Sequence, residues 1–548
     1  MSILFNTLFF SVIITISLVP LFSKLAVKLH AMDIPDSRKI HKNPIPRVGG
    51  VAMAVGMFVS VLVFMPRNYF VVAFLLGASI IVVFGLADDM VGLGYKAKFT
   101  GQLVAALIVI LFGKVKILTL GNLVPYGLCL SEIGSVILTL LIIVGVTNAI
   151  NLADGLDGLA AGICLMAFLS IAYLAYVSGM QTILYLAVSI AGVIFGFLRF
   201  NTHPATIFMG DAGSQLLGFS GIVLAIKLTQ ESLILSPVLP LFLFGLPIFD
   251  TLTVMFQRLI QKKSPFLPDR NHMHHRLMGL ELYHTEAVFI IYLIQSLLII
   301  FALFFKSSSG RILFLVYLIF SFMLFMFFYL AEKFNYRLKR YDFIEHGLKA
   351  KLRDWRSQGV VIKFCFFVVK FGLATIFIII IMLPSVVPTI LVFYSTLAIF
   401  AILMALIIKK IEIKIVVRFV VYLLGPFILY LPGIDTNMLL SSKYAVLFDF
   451  FFLILAFFSI MTLKFTRRKR GFKFNTLDFL ILLLVVILLI LPDNQIHSNH
   501  LGILASKIII LFFSFEILVG ELRGNWKGPA LTVLSICSLV VLRGLGLF

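Results

Sequence analysis

Runs of about 20 apolar residues, separated by short polar stretches, recur from one end of the chain to the other. At about 1.5 Å per residue, a helix of that length crosses the roughly 30 Å hydrocarbon core of a bilayer. The pattern predicts about eighteen spans, near residues 3–22, 48–65, 70–87, 99–113, 132–149, 159–178, 181–199, 213–228, 236–256, 286–305, 311–331, 362–383, 389–408, 415–433, 444–463, 476–491, 501–519 and 529–547. Strands are not expected among them, because an open sheet edge has no hydrogen-bond partners in lipid. The expected fold class is all-α, a polytopic integral membrane helix bundle. The opening run MSILFNTLFFSVIITISLVPLF lacks a basic start and a small-residue cleavage site, so it reads as a retained first span.

Composition agrees. Of 548 residues, 61% are hydrophobic and 13% charged, with a mean hydropathy of +1.13. A soluble domain has no room for that much apolar side chain. The formal net charge is +21. In a soluble protein that excess would suggest nucleic acid, but here it fits the basic loops on the cytoplasmic side of a membrane protein, and no nucleic-acid partner is expected. With the N-terminus outside, the inner loops collect roughly three-quarters of the 45 Lys and Arg. The segments KFTRRKRGFK and KFNYRLKRYDF are the strongest anchors. The four cysteines, Cys129, Cys164, Cys365 and Cys537, are scattered without metal or redox spacing.

The acidic residues divide the chain. Asp88, Asp89, Asp154, Asp157, Asp211, Asp250 and Asp269 all fall before residue 285, in or beside inner loops or at the inner ends of spans. Carboxylates gathered beside a membrane repel one another unless a cation sits among them. Two regions are therefore expected. Residues 1–331 hold about eleven spans and the dense polar loops, and residues 332–548 add about seven spans with short or merely basic loops. In the second region, Arg418 and Lys370 lie within or near spans, where their heads are expected to snorkel to an interface.

Four polar segments carry candidate chemistry. In GLADDMVGLGYKAKFTGQ, Asp88 and Asp89 end a span, placed to ligate a cation or take a proton, or simply to solvate a helix end. In NAINLADGLDGLAAG, Asn151, Asp154 and Asp157 follow at a spacing of three and share one helical face, with Gly155 and Gly158 leaving it bare; a polar turn is the plainer alternative. In RFNTHPATIFMGDAGSQLLG, Asp211 precedes an apolar span between two glycines, as a helix cap, a magnesium ligand beside phosphates, or both. In DRNHMHHRL, the three imidazoles alternate with Arg270 and Arg276, which suits an anion rich in oxygen such as a diphosphate. Zinc and a merely solvated loop are the alternatives there.

A fifth segment, DSRKIHKNPIPRVGG, completes an ordered set. In that order the five segments resemble the polyprenyl-phosphate N-acetylhexosamine-1-phosphate transferases of glycosyltransferase family 4. Within that family GDAGS and DRNHMHHRL are similar to the WecA/TagO-type branch, and Met273, which interrupts the histidines, argues against the branch that makes the first lipid intermediate of peptidoglycan. The resemblance covers residues 1 to about 331.

The resemblance implies a reaction in which undecaprenyl phosphate attacks the β-phosphorus of a UDP-N-acetylhexosamine, most often UDP-N-acetylglucosamine. UMP leaves, and a lipid-diphospho-sugar that starts a cell-envelope polysaccharide, such as an O-antigen, remains in the bilayer. It implies magnesium as cofactor, with manganese as a substitute, and a multi-pass place in the bacterial inner membrane with the site on the cytoplasmic face. By motif position, Asp88 and Asp89 correspond to the pair that binds or deprotonates the lipid phosphate. Asp211 corresponds to the principal metal ligand and catalytic carboxylate, with Asn151 and Asp154 as co-ligands. Asp154 and Asp157 correspond to nucleotide-binding positions, and Arg270, His272, His274 and His275 to the loop that contacts the diphosphate or sugar. The expected partners are the two substrates, the bilayer and a second copy of the chain. The family pattern has ten or eleven spans, so residues 332–548 are extra. A multi-span transporter or flippase of lipid-linked sugars is the competing reading, but transporters bury charge at the midplane, whereas these carboxylates gather at one face.

Overall fold

The structure is a computed structural model and describes residues 2–28, 31–34, 44–124, 130–262, 271–334, 360–382, 387–408, 412–431, 442–465, 476–490, 501–521 and 526–547. Each predicted span overlaps helical structure, and that at 236–256 falls on two helices. The chain is a multi-pass helical membrane protein. Among the described residues, twelve helices are long and apolar enough to cross a membrane, and four more apolar helices are shorter.

The first helices are α1 (Ser2–Lys28), α2 (Gly49–Phe64), α3 (Tyr69–Val91), α4 (Tyr95–Leu111), α5 (Glu132–Ala153), α6 (Leu159–Val177), α7 (Gln181–Asn201) and α8 (Gly210–Glu231). They are followed by α9 (Pro240–Leu243), α10 (Gly245–Ile260), α11 (Met273–Gly279), α12 (His284–Phe304) and α13 (Gly310–Lys333). The remainder are α14 (Val360–Met382), α15 (Thr389–Ile407), α16 (Ile413–Tyr430), α17 (Ser442–Phe465), α18 (Thr476–Ile490), α19 (Leu501–Glu521) and α20 (Lys527–Gly544). Local chemistry sets several ends. Asn68 and Ser131 cap α3 and α5 by accepting the backbone N–H of Val71 and Gly134. Gly92 ends α3 at a φ of 67°, in the left-handed region that only glycine enters freely. A two-residue antiparallel pair, Met32–Asp33 with Ile45–Pro46, brackets the loop before α2.

Two compact units result. The first comprises Met1–Lys339 together with Asn475–Leu491, and the second Arg340–Phe474 with Pro492–Phe548. The division is thus not the linear one expected at residue 331, because α18 returns to the first unit. Its buried Thr476, Leu480, Leu483 and Ile487 form one helical stripe. Phe479 meets Phe289 of α12 at 4.9 Å between ring centroids.

In the first unit α8 is the axis, buried along nearly its whole length. A Cβ on Gly50 would fall 2.1 Å from Gly213 N, and one on Gly85 would fall 2.5 Å from Ala212 Cα. Glycine at these two positions lets α2 and α3 close on the first turn of α8, as small residues do between membrane helices. The predicted span 236–256 is broken between α9 and α10, where Pro240, Gly245 and Pro247 interrupt the hydrogen-bond ladder. Fully buried Gln295 repairs the break. Its amide donates to Phe242 O and Leu243 O at 3.2 and 2.9 Å, and accepts from Leu246 N at 3.2 Å. Tyr317 OH donates to Gly245 O at 2.8 Å.

The second unit has its own apolar core, with Val369, Ile402, Val417 and Leu511 fully buried within it. Arg418 is not left to lipid: its guanidinium pairs with Glu516 of α19 at 2.9 Å and lies over the Trp526 ring, while Tyr422 OH also donates to Glu516. A carboxylate on a neighbouring helix satisfies the charge in place.

Candidate active site

The site is built where α3, α4, α5 and α8 meet at one end of the first unit. Lys98, in the first turn of α4, places its ammonium 2.5 Å from Asp88 and 2.7 Å from Asp211. Asn151, in the last turn of α5, donates to Asp211 Oδ1 at 3.1 Å and to Ser214 Oγ at 2.8 Å. Ser214 in turn donates to Gly210 O. One turn deeper, Gln102, Asn148 and Gln215 join in a buried amide network that ties α4, α5 and α8.

The adjacent aspartates of α3 have different partners. Asp88 faces Lys98. Asp89 accepts the backbone N–H groups of Asp211 and Ala212 at 3.0 and 3.1 Å, and so caps α8 from another helix. Gly210 adopts a φ of 69°, and a Cβ there would lie 2.4 Å from Asp89 Oδ2. Only glycine therefore allows this grip.

The residues between α5 and α6 also diverge. Half-buried Asp154 is pushed up to about 7, first by desolvation and then by the charges of Asp211, Asp89 and Asp157. Asp157 turns instead to the segment before α8. Its carboxylate accepts from His203 Nδ1 at 2.7 Å and Ala205 N at 3.1 Å, and its own N–H donates to His284 Nε2 at 3.1 Å. The His203 and His284 rings stack 4.2 Å apart. Donor atoms of Asp157, His203 and His284 lie within 4.8 Å of one another. The hydrogen bonds already made, and rings stacked rather than converging on a point, make this a lock between three segments.

The histidine segment forms the facing wall. His272 precedes α11 and is held through Nδ1 by Asp250 of α10 at 2.8 Å, and Asp250 also accepts Met273 N at 2.7 Å. Buried His274 lies over Gly155, where a Cβ would fall 2.2 Å from its Nε2. Burial, then the neighbouring histidines, push His274 down to about 3, so it is neutral near pH 7. His275 tilts against His274 at 4.2 Å. Arg276 faces away, paired with Glu332 at 2.9 Å and lying over Phe328. Arg270 lies outside the described residues.

Both walls border one cavity of about 1140 Å³. Its polar end is lined by Lys98, Asn151, Arg258, His272, His274 and His275, and its long walls by Leu103, Leu141, Val144, Ile226, Leu252 and Met255. The site can therefore hold an anion with a long apolar tail. Asn151, His272, His274 and His275 of the expected set line this cavity. Asp211 and Asp88 stand behind Lys98, Asp89 is engaged with backbone, and Asp157 is turned to the lock. Lys98, Arg258, Asp250, His203 and His284 were not singled out by spacing. An ionisable residue inside an apolar stretch was the available signal for Asp250 and Arg258.

Comparison with known proteins fits this geometry. The family model of glycosyl transferase family 4 matches residues 71–229, from α3 through most of α8. The chain is 38% identical to a probable undecaprenyl-phosphate N-acetylglucosaminyl 1-phosphate transferase of Bacillus subtilis, over 57% of this chain and 88% of that protein. It is 34% identical to a decaprenyl-phosphate N-acetylglucosaminephosphotransferase of Mycolicibacterium smegmatis, over 49% of this chain and 74% of that protein. It is 31% identical to the undecaprenyl-phosphate alpha-N-acetylglucosaminyl 1-phosphate transferase of Escherichia coli K12, over 50% of this chain and 76% of that protein. With the motifs in order, one cavity behind them and a relative matched over most of its length, the chain belongs to glycosyl transferase family 4.

Proposed function

We propose that this protein transfers N-acetylglucosamine 1-phosphate from UDP-N-acetylglucosamine to undecaprenyl phosphate on the cytoplasmic face of a bacterial inner membrane. The observation that carries the reading is the single cavity with cationic and imidazole groups at one end and long apolar walls. A lipid phosphate fits that shape, with its tail along the walls and its head beside Lys98. The three relatives are transferases of this kind by name. The carboxylates gather at one end of the bundle, which suits chemistry at a membrane face better than transport through it.

In the reaction an oxygen of the lipid phosphate forms a bond to the β-phosphorus of the UDP-sugar. The bond from that phosphorus to the bridging oxygen breaks, and UMP leaves with the electron pair. Such transfers depend on positioning and charge stabilisation more than on covalent help from the protein. Asp88 takes the proton of the lipid phosphate where it carries one, and Lys98 and Arg258 neutralise the phosphates.

The residues fit a divalent cation. The Lys98 ammonium stands between two carboxylates, where a cation belongs. Asp88 Oδ1 is buried without a hydrogen-bond partner. Three further carboxylates crowd the same end, and Asp154 ionises reluctantly among them. Oxygen donors of this kind suit magnesium, with manganese as a substitute. Asp211, Asn151 and Asp154 would hold it. When bound, the ion supplies charge neutralisation on the diphosphate.

The test is UMP release by purified protein given UDP-N-acetylglucosamine, undecaprenyl phosphate and magnesium. Asp211→Asn is expected to abolish release while leaving membrane insertion and thermal unfolding unchanged. Full activity in that variant would overturn the site, and no turnover by the native protein across a panel of UDP-sugars would overturn the function.

A further inference from the structure

We propose that Asp250 is a positioning residue for this transfer, acting through His272 by fixing which ring nitrogen faces the diphosphate. The inference rests on the function proposed above. A carboxylate in the second turn of α10, within an otherwise apolar stretch, is costly unless it is used. Asp250 is half-buried and uses both oxygens on one short segment, one on the His272 ring and one on the backbone N–H of Met273. It therefore sets the position of His272 and the ring's rotation together.

The chemistry follows from what a carboxylate can accept. An ionised carboxylate has no proton to give, so the bond at 2.8 Å requires the hydrogen on His272 Nδ1. Nε2 is then the ring nitrogen left for the cavity that His272 lines. Held this way, His272 presents Nε2 to the cavity in one orientation, the geometry an imidazole needs to exchange a proton with a phosphate oxygen. Asp250 gives this support to His272. His274 is buried over Gly155 and stays neutral. His275 rests against His274. Among the described residues, the other charged groups that line the cavity are Lys98 from α4 and Arg258 from α10. Negative charge grows on the departing UMP oxygens in the transition state, so the support given to His272 counts most there.

The test uses the full chain in detergent or lipid nanodiscs. In Asp250→Asn, the amide presents N–H to His272 and reverses the tautomer. The kcat for UMP release is expected to fall about 100-fold or more, with KM for UDP-N-acetylglucosamine within about twofold and the unfolding temperature unchanged. Asp250→Glu is expected to recover part of the rate. His272→Gln should cost about as much as Asp250→Asn, and the double variant little more than either, because the two residues act as one unit. If Asp250→Asn does not fold, the same cycle with Asp250→Glu and His272→Gln decides. Additive losses, an unchanged kcat, or a loss confined to KM would overturn the role of Asp250 and leave the transferase reading standing. A native protein without UMP release would overturn both.

Discussion

Histidines 272 and 274 sit two residues apart and are held in opposite ways, one against a carboxylate and one against a glycine backbone. The seat of His274 exists only because Gly155 has no side chain. Gly155→Ala would place a methyl 2.2 Å from His274 Nε2. Overpacking of that kind costs about 1–3 kcal/mol, so the variant is expected to unfold at lower temperature and to release UMP more slowly. Burial also makes His274 a proton-linked residue. Its value falls from 6.5 to about 3 on folding. The unfolded chain therefore binds this proton first as pH drops. Stability is unaffected above the unfolded value and is lost progressively as pH falls from about 6.5 toward 3. His274→Gln cannot take up the proton and should show a flatter stability profile in that window, by up to about 4 kcal/mol at its acid end. Identical profiles for native and variant protein, followed by thermal unfolding, would refute the buried neutral ring. At this scale the sequence displayed residue types and order, which is why the histidines and aspartates were visible as a set. It did not display direction. Asp88 and Asp89 are adjacent, yet one faces an ammonium and the other the backbone of α8, because successive residues on a helix point about 100° apart and meet different neighbours.

Helix positions were legible because bilayer thickness imposes a length on every apolar run. What escaped was the internal break of the span at 236–256. Its cause was in view, since Pro240, Gly245 and Pro247 crowd eight residues of the pattern. Its cure was not, because Gln295 lies about fifty residues away on α12 and reads locally as one polar residue in an apolar helix. In lipid, a broken ladder needs another source of hydrogen bonds. Gln295 provides three, to Phe242, Leu243 and Leu246. Gln295→Leu keeps the volume and removes all of them. Each unpaired backbone group costs about 1–3 kcal/mol, so this variant is expected to lose several kcal/mol, far more than a surface Gln→Leu change. The position of α10 carries Asp250 and Arg258, so activity should fall with stability. Gln295→Glu, which still accepts from Leu246 N but no longer donates amide hydrogens, should fall at least as far at neutral pH. Thermal unfolding and UMP release of both variants check the assignment, and a native unfolding temperature in Gln295→Leu would show that the break is satisfied by other means.

At the scale of the whole molecule, the chain leaves the first unit after Lys339, returns to it for Asn475–Leu491 and leaves it again. The sequence suggested a cut near residue 331, because polar chemistry ends there and the relatives match only about half of the chain. Charge and motif cannot reveal that a later apolar helix packs back on the first unit, since α18 looks like any other span. Its contacts give the return a consequence. Thr476, Leu480, Leu483 and Ile487 are buried in the first unit, and the Phe479 ring tilts against Phe289. A Cβ on Gly158 would lie 3.5 Å from Thr476 Oγ1, so the start of α18 stands beside the turn that also carries Asp157. Helices in lipid associate through packing rather than through exclusion of water, so loss of α18 should leave a membrane-inserted but looser unit. A chain ending at Lys339 is therefore expected to insert, to unfold at lower temperature than the full protein, and to release UMP more slowly, even though it retains every motif. Joining residues 475–491 to that shortened chain through a flexible linker should recover much of both losses. Within the full chain, Phe479→Ala should reproduce part of the effect, whereas substitution of exposed Leu482 should not. Equal stability and rate for the shortened and full chains would mean that α18 rests on the first unit without supporting it, and that residues 340–548 act apart from the transfer.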